Sequence, residues 1–116
     1  MVKTKVVSIG KDAYFEGYPL LVIFGKDCPD ELKDICIVHE YMDKPNAEMI
    51  KVGGKILIGG NEYTVEKIGG DAANENLYNL GHMTINFSPD LDLMPGSILV
   101  SPCVVPDIKQ GDIIEF

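Results

Sequence analysis

The 116-residue chain carries 18 acidic and 10 basic side chains, a net charge of −8, and every basic residue is a lysine. That balance excludes a nucleic-acid partner, which needs a basic face to neutralise phosphates. It also leaves no guanidinium in cis to clamp a phosphoryl group in bidentate fashion. At 46% apolar residues the chain is expected to fold as one domain over 1–116. Its longest apolar run, Pro19 to Phe24, is the length of a buried strand, far short of a membrane span. The N-terminal MVKTKVVSIG lacks the apolar core and cleavage site of a signal peptide. A cytoplasmic protein without membrane insertion is the expectation, and the odd set Cys28, Cys36 and Cys103 reads as reduced thiols.

Short runs rich in Val, Ile, Thr, Tyr and Phe follow one another between Gly, Pro, Asn and Asp. Strands are predicted at Lys3 to Ile9, Leu20 to Phe24, Ile35 to Met42 and Lys55 to Ile58. Four more are predicted at Glu62 to Ile68, His82 to Phe87, Ser97 to Val104 and Asp112 to Glu115. The segment KILIGGNEYTVEKI is a hairpin turning through Gly59-Gly60-Asn61. Pro29 to Asp34 predicts a single helical turn, with proline near its start and acids behind it. Ala72 to Leu80 predicts a short helix with Leu77 and Leu80 three apart and Gly81 as its C-cap. The fold class is therefore mainly β: a small closed or partly closed barrel, or a sandwich, with one or two short helices.

Histidine occurs only at positions 39 and 82. In the strand ICIVHEYM, His39 shares a face with Ile35, Ile37 and Tyr41, while Cys36, Val38, Glu40 and Met42 take the other. An imidazole among Ile and Tyr is partly desolvated, which favours its neutral, nucleophilic form. A core histidine satisfied by backbone groups explains the same pattern. His82 shares a face with Thr84 and Asn86, a row able to hydrogen-bond a phosphoryl oxygen or to sit idle in solvent.

Other chemistry has less behind it. Cys36 and His39 form a C-x-x-H pair on opposite strand faces, a poor start for zinc even with Cys28, Cys103 and His82 nearby. No helix N-terminus or cation is evident to activate a thiol. The paired glycines match no phosphate-binding fingerprint, and no carboxylate pair suggests glycosidic acid–base work. No metal or cofactor is expected.

Three stretches resemble a known family: ELKDICIVHEY, ENLYNLGHMTINF, and PGSILV with PDIKQGDIIEF. Together they are similar to the glucitol/sorbitol-specific enzyme IIA component of the phosphoenolpyruvate-dependent sugar phosphotransferase system. Asn76 to Thr84, N-L-x-x-L-G-H-x-T, is the most specific piece. The resemblance implies a barrel-like β domain that takes a phosphoryl group from phospho-HPr onto His39. It would then pass the group to the IIB unit as the membrane IIC unit imports the polyol. Some members carry a second histidine where this chain has Tyr41, so His39 is the candidate nucleophile. His82 and Thr84 are the candidate phosphoryl stabilisers, with HPr expected to bring the missing cations.

The charge of −8 suits a basic partner. Val38, Met42, Pro45 and Met49 are the expected apolar docking residues, though core packing explains Val38 as well. A homodimer is left open. The alternative is a non-catalytic regulatory or ligand-binding barrel on the same scaffold.

Overall fold

A computed structural model describes residues 1–116. Eight strands close into a barrel: β1 (Lys3–Ile9), β2 (Leu20–Phe24), β3 (Ile37–Tyr41), β4 (Lys55–Ile58), β5 (Asn61–Ile68), β6 (Met83–Asn86), β7 (Ser97–Ser101) and β8 (Ile113–Glu115). Around the barrel they run β1-β3-β2-β6-β7-β5-β4-β8. The pairs β2–β3 and β6–β7 are parallel and the rest antiparallel. Each parallel pair needs a crossover, supplied by the 3-10 turn Asp30–Ile35 before β3 and by the long loop before β7. The helix α1 (Ala72–Leu80) lies between β5 and β6.

Closure removes every free sheet edge. Period-2 alternation then fills the interior: Val6, Leu21, Ile23, Ile37, Ile56, Val65, Ile85 and Ile98 are buried in one core. A second cluster, Phe24, Cys28, Cys36 and Val38, packs outside the wall beneath Leu32 and Ile35 of the 3-10 turn. Strands β2 and β3 are thus covered on both faces, which is why LLVIF and ICIV read as unbroken apolar runs.

The predicted elements recur with trimmed ends. Ile35 belongs to the 3-10 turn instead of β3, and β7 stops at Ser101 because Pro102 lacks a ladder donor. The hairpin turn narrows to Gly59-Gly60, both at positive φ (56° and 87°), since Ile58 already pairs with Asn61. Helix α1 differs in its apolar face: Leu77 is buried with Ala73, four residues before it, whereas Leu80 stands exposed.

Two features prepare the site. Between Val6 and Ser8 the register of β1 slips against His39 and Val38, a bulge that keeps Val6 in the core while Val7 packs on the outer cluster. At the other end, α1 finishes in an αL cap, with Gly81 N–H donating to the Leu77 carbonyl (3.0 Å), and His82 N–H reaches the Asn76 carbonyl (3.2 Å). Gly81 takes φ 67°, the left-handed conformation that favours glycine.

Candidate functional site

His39 points into the barrel from β3 and has no solvent-exposed surface. Its Nε2 lies 2.7 Å from the Gly81 carbonyl and its Nδ1 lies 2.6 Å from Thr4 Oγ1. Thr4 is also fully buried; it pairs with Tyr41 while Val6 pairs with His39, so its hydroxyl reaches the imidazole diagonally across two strands. A carbonyl can only accept, so Nε2 carries the proton and donates to Gly81. Nδ1 then accepts from the Thr4 hydroxyl. Both nitrogens are satisfied by a single neutral tautomer.

Burial lowers the pKa of His39, the Gly81 carbonyl opposing this only in part. Aromatic edges complete its surroundings, with Tyr41 at 5.3 Å and Phe116 at 6.4 Å between ring centroids. The Tyr41 hydroxyl donates to the Leu77 carbonyl at 2.6 Å, and burial pushes its phenol pKa up. The imidazole is thereby held neutral near physiological pH.

His39 forms the floor of a pocket of about 270 Å3. Its walls are Gly25, Lys26 and Asp27 after β2, Glu40 and Tyr41 of β3, and Tyr78, Asn79, Leu80 and Gly81 at the end of α1. Gly25 N–H donates to the Leu80 carbonyl at 2.9 Å and binds the two walls together. Lys26 is the one cation among these residues, which also include two acids, Asp27 and Glu40. Tyr78 and Leu80 bring apolar surface to the pocket, 43% and 47% exposed. A neutral imidazole at the base of a small polar pocket has the chemistry to accept a small electrophile once a ring nitrogen is released from its hydrogen bond.

Of the residues expected at the site, the structure brings only His39 here. His82 stacks on Phe24 (centroids 4.6 Å apart, planes at 22°), so its ring joins the outer cluster, and that burial lowers its pKa. Thr84 lies between the inward Met83 and Ile85 and faces outward opposite Val22. Neither side chain lines the pocket. The reason is strand parity: β6 begins at Met83, and that residue fills the core.

The expected docking patch also disperses. Val38 is buried in the outer cluster and Met49 packs on the main core, while Met42 stays 59% exposed. No group of three or more His, Cys, Asp or Glu side chains converges to hold a metal ion.

Sequence reasoning missed Thr4, Lys26, Tyr78 and Gly81 as site residues. Thr4 had a signal, a hydroxyl at the inward register of β1 between Val2 and Val6. The others become neighbours of His39 only when β2, β3 and the end of α1 meet.

A protein-family model described as the PTS system glucitol/sorbitol-specific IIA component matches residues 1–115. The PTS system glucitol/sorbitol-specific EIIA component of Escherichia coli (strain K12) is 29% identical over 98 residues, spanning 84% of this chain and 77% of that protein. The component of the same name from Shigella flexneri matches to the same extent. The crystal structure of a PTS system IIA component from Enterococcus faecalis V583 superimposes with a TM-score of 0.87 at 27% identity, covering 98% of both chains.

Proposed function

The chain belongs to the PTS glucitol/sorbitol-specific IIA component family, and on that premise we propose that it is a cytoplasmic phosphocarrier using His39 as its nucleophile. It accepts a phosphoryl group from phospho-HPr and passes it to the IIB unit, from which it reaches the polyol entering through the IIC permease. The observation carrying this reading is the His39 imidazole, neutral and doubly hydrogen-bonded at the floor of the pocket.

The attacking nitrogen needs a lone pair, which burial preserves by disfavouring the imidazolium. Phosphoryl transfer between two imidazoles asks little covalent work of the protein, so alignment and charge compensation dominate. Thr4 fixes the ring plane. Lys26 offers one positive charge, offset by Asp27 and Glu40, so the remaining compensation comes from the basic partner. The acidic groups that weaken the pocket's own hold on phosphate also suit docking of that partner and prompt release of the phosphoryl group.

Reconstitution tests the relay: phosphoenolpyruvate, enzyme I, HPr, this chain and membranes holding the IIB and IIC units, with sorbitol as acceptor. Sorbitol phosphate forms only when the chain is present. Equal formation without the chain removes it from the relay.

A further inference from the structure

Cys28 and Cys36 flank the 3-10 turn Asp30–Ile35, and their side chains pack together in the outer cluster with Phe24 and Val38. Burial is the first cause that raises each thiol. The hydrogen bond between the two sulfurs then lowers Cys28, whereas for Cys36 the Cys28 charge and that bond both raise it. This is the sense expected when Cys36 donates and Cys28 accepts. The Cys28 thiol in turn donates to the Pro29 carbonyl at 3.5 Å, and the charge of Lys33 favours its thiolate. The pair therefore has an order: Cys28 ionises more easily, and Cys36 keeps its proton.

The two sulfurs sit where the pocket is built. Cys28 N–H bonds the Gly25 carbonyl at 3.0 Å, closing the turn whose residues Gly25, Lys26 and Asp27 form one pocket wall. Cys36 directly precedes β3, the strand of His39, and its carbonyl accepts the Gly10 N–H at 2.9 Å, which fixes it to the barrel. The opposite wall is the end of α1, joined to the first by the bond from Gly25 N–H to the Leu80 carbonyl. His39 has no exposed surface, so a donor reaches it only when these walls part.

We propose that Cys28 and Cys36 form a peroxide-sensitive dithiol whose disulfide tethers the Gly25–Asp27 wall to the barrel and slows access to His39. The dithiol stands apart from the phosphocarrier reading, and its effect on phosphoryl transfer rests on that reading. Cys28, as the thiolate, attacks one oxygen of hydrogen peroxide. The S–O bond forms as the O–O bond breaks, and the departing hydroxide takes up the proton that Cys28 released, giving water. The Cys36 sulfur then attacks the sulfur of the Cys28 sulfenic acid. The S–S bond forms, the S–O bond breaks, and the hydroxyl leaves with the Cys36 proton as a second water. Sulfurs in hydrogen-bond contact close to the ~2.0 Å of a disulfide, so Cys28 is drawn onto Cys36 and the turn loses its freedom.

Burial makes this reaction slow, because little thiolate is present. It also makes the product durable. A dithiol oxidises others when its thiolates are stabilised, and these are not. In a reducing compartment the pair rests as thiols and closes only under oxidant.

The full-length chain carrying Cys103→Ser, which removes the exposed thiol, tests this with hydrogen peroxide. Its intact mass is expected to fall by two hydrogens, with peptide mapping joining Cys28 to Cys36 and dithiothreitol reversing both. Cys28 and Cys36 recovered as free thiols, or as sulfinic acids without a cross-link, overturn the proposal. Phosphoryl acceptance from phospho-HPr is expected to slow severalfold in the cross-linked protein and to recover with dithiothreitol, which leaves methionine sulfoxide untouched. Equal rates before and after cross-linking overturn the tether. Failure of the reduced protein to accept at all overturns the carrier reading instead, and the mass still decides the dithiol. With Cys28→Ser added, acceptance is expected to be the same with and without peroxide, and slowing there overturns the tether. Should that variant fail to fold, cross-linking and its reversal in the parent chain still decide the proposal.

Discussion

Tyr41 on β3 donates its hydroxyl proton to the carbonyl of Leu77 in the last turn of α1, at 2.6 Å. That same carbonyl accepts the N–H of Gly81 at 3.0 Å. One oxygen thus ties the strand that bears His39 to the helix cap that closes over it. Tyr41→Phe removes one donor and keeps the ring packed against His39. It is expected to destabilise the fold by about 1 kcal/mol and to speed hydrogen exchange at the Gly81 and His82 amides, leaving the barrel strands protected. Unchanged exchange at those two amides would show that the tyrosine does not hold the cap.

Burial lowers the pKa of both His39 and His82 below the ordinary value of 6.5. The unfolded chain therefore binds more protons than the native one at mildly acid pH, so stability rises with pH in that range. The contribution is complete above about 6.5 and is lost as pH falls through the lower native values. Chemical unfolding at pH 7.5 and 5.5 should show the loss, and His39→Gln and His82→Gln should each flatten it. A wild-type slope retained in both variants would place the effect elsewhere. On the proposed carrier reading, phosphoryl acceptance should likewise hold steady down to about pH 6.5, because His39 stays neutral there.

Lys26 supplies the pocket's single cation without lending support to the core, since it is exposed after β2. Lys26→Ala should slow phosphoryl acceptance severalfold at low salt while shifting stability by less than about 0.5 kcal/mol. Asp27→Asn and Glu40→Gln should weaken association with a basic donor and reduce its salt dependence. The readout is the acceptance rate against donor concentration at two ionic strengths.

The thiols should separate by burial. Cys36 is pushed up to about 12 by burial and by Cys28 beside it, and burial raises Cys28 as well. Cys103 is exposed. A thiol reagent at neutral pH should label Cys103 alone in the native protein and all three residues after denaturation. Rapid native labelling of Cys36 would mean that the outer cluster opens readily.

Much of the barrel was legible because strand signals here are local: alternation, β-branched runs and glycine turns. β1, β2, β4 and α1 match their predicted spans; β3, β6, β7 and β8 are shorter than predicted and β5 begins one residue earlier, with Ile35 and Pro102 obeying neighbours outside the run. The inward face of His39 was legible for the same reason. His82 and Thr84 were not, because the partners of a strand's two faces depend on which strand lies beside it. The parallel pairs β2–β3 and β6–β7 leave no trace in local pattern. Lys26 and Gly81 reach His39 only through that pairing, whereas Thr4 was visible as a polar residue in a core register and went unread.

The central claim is that His39 carries the phosphoryl group, and intact mass of the chain after incubation with phosphoenolpyruvate, enzyme I and HPr tests it most directly. The account predicts one phosphoryl group per chain, acid-labile, mapped to His39 and absent from a folded His39→Gln variant. Full labelling of His39→Gln, or no labelling of the wild type, would contradict it.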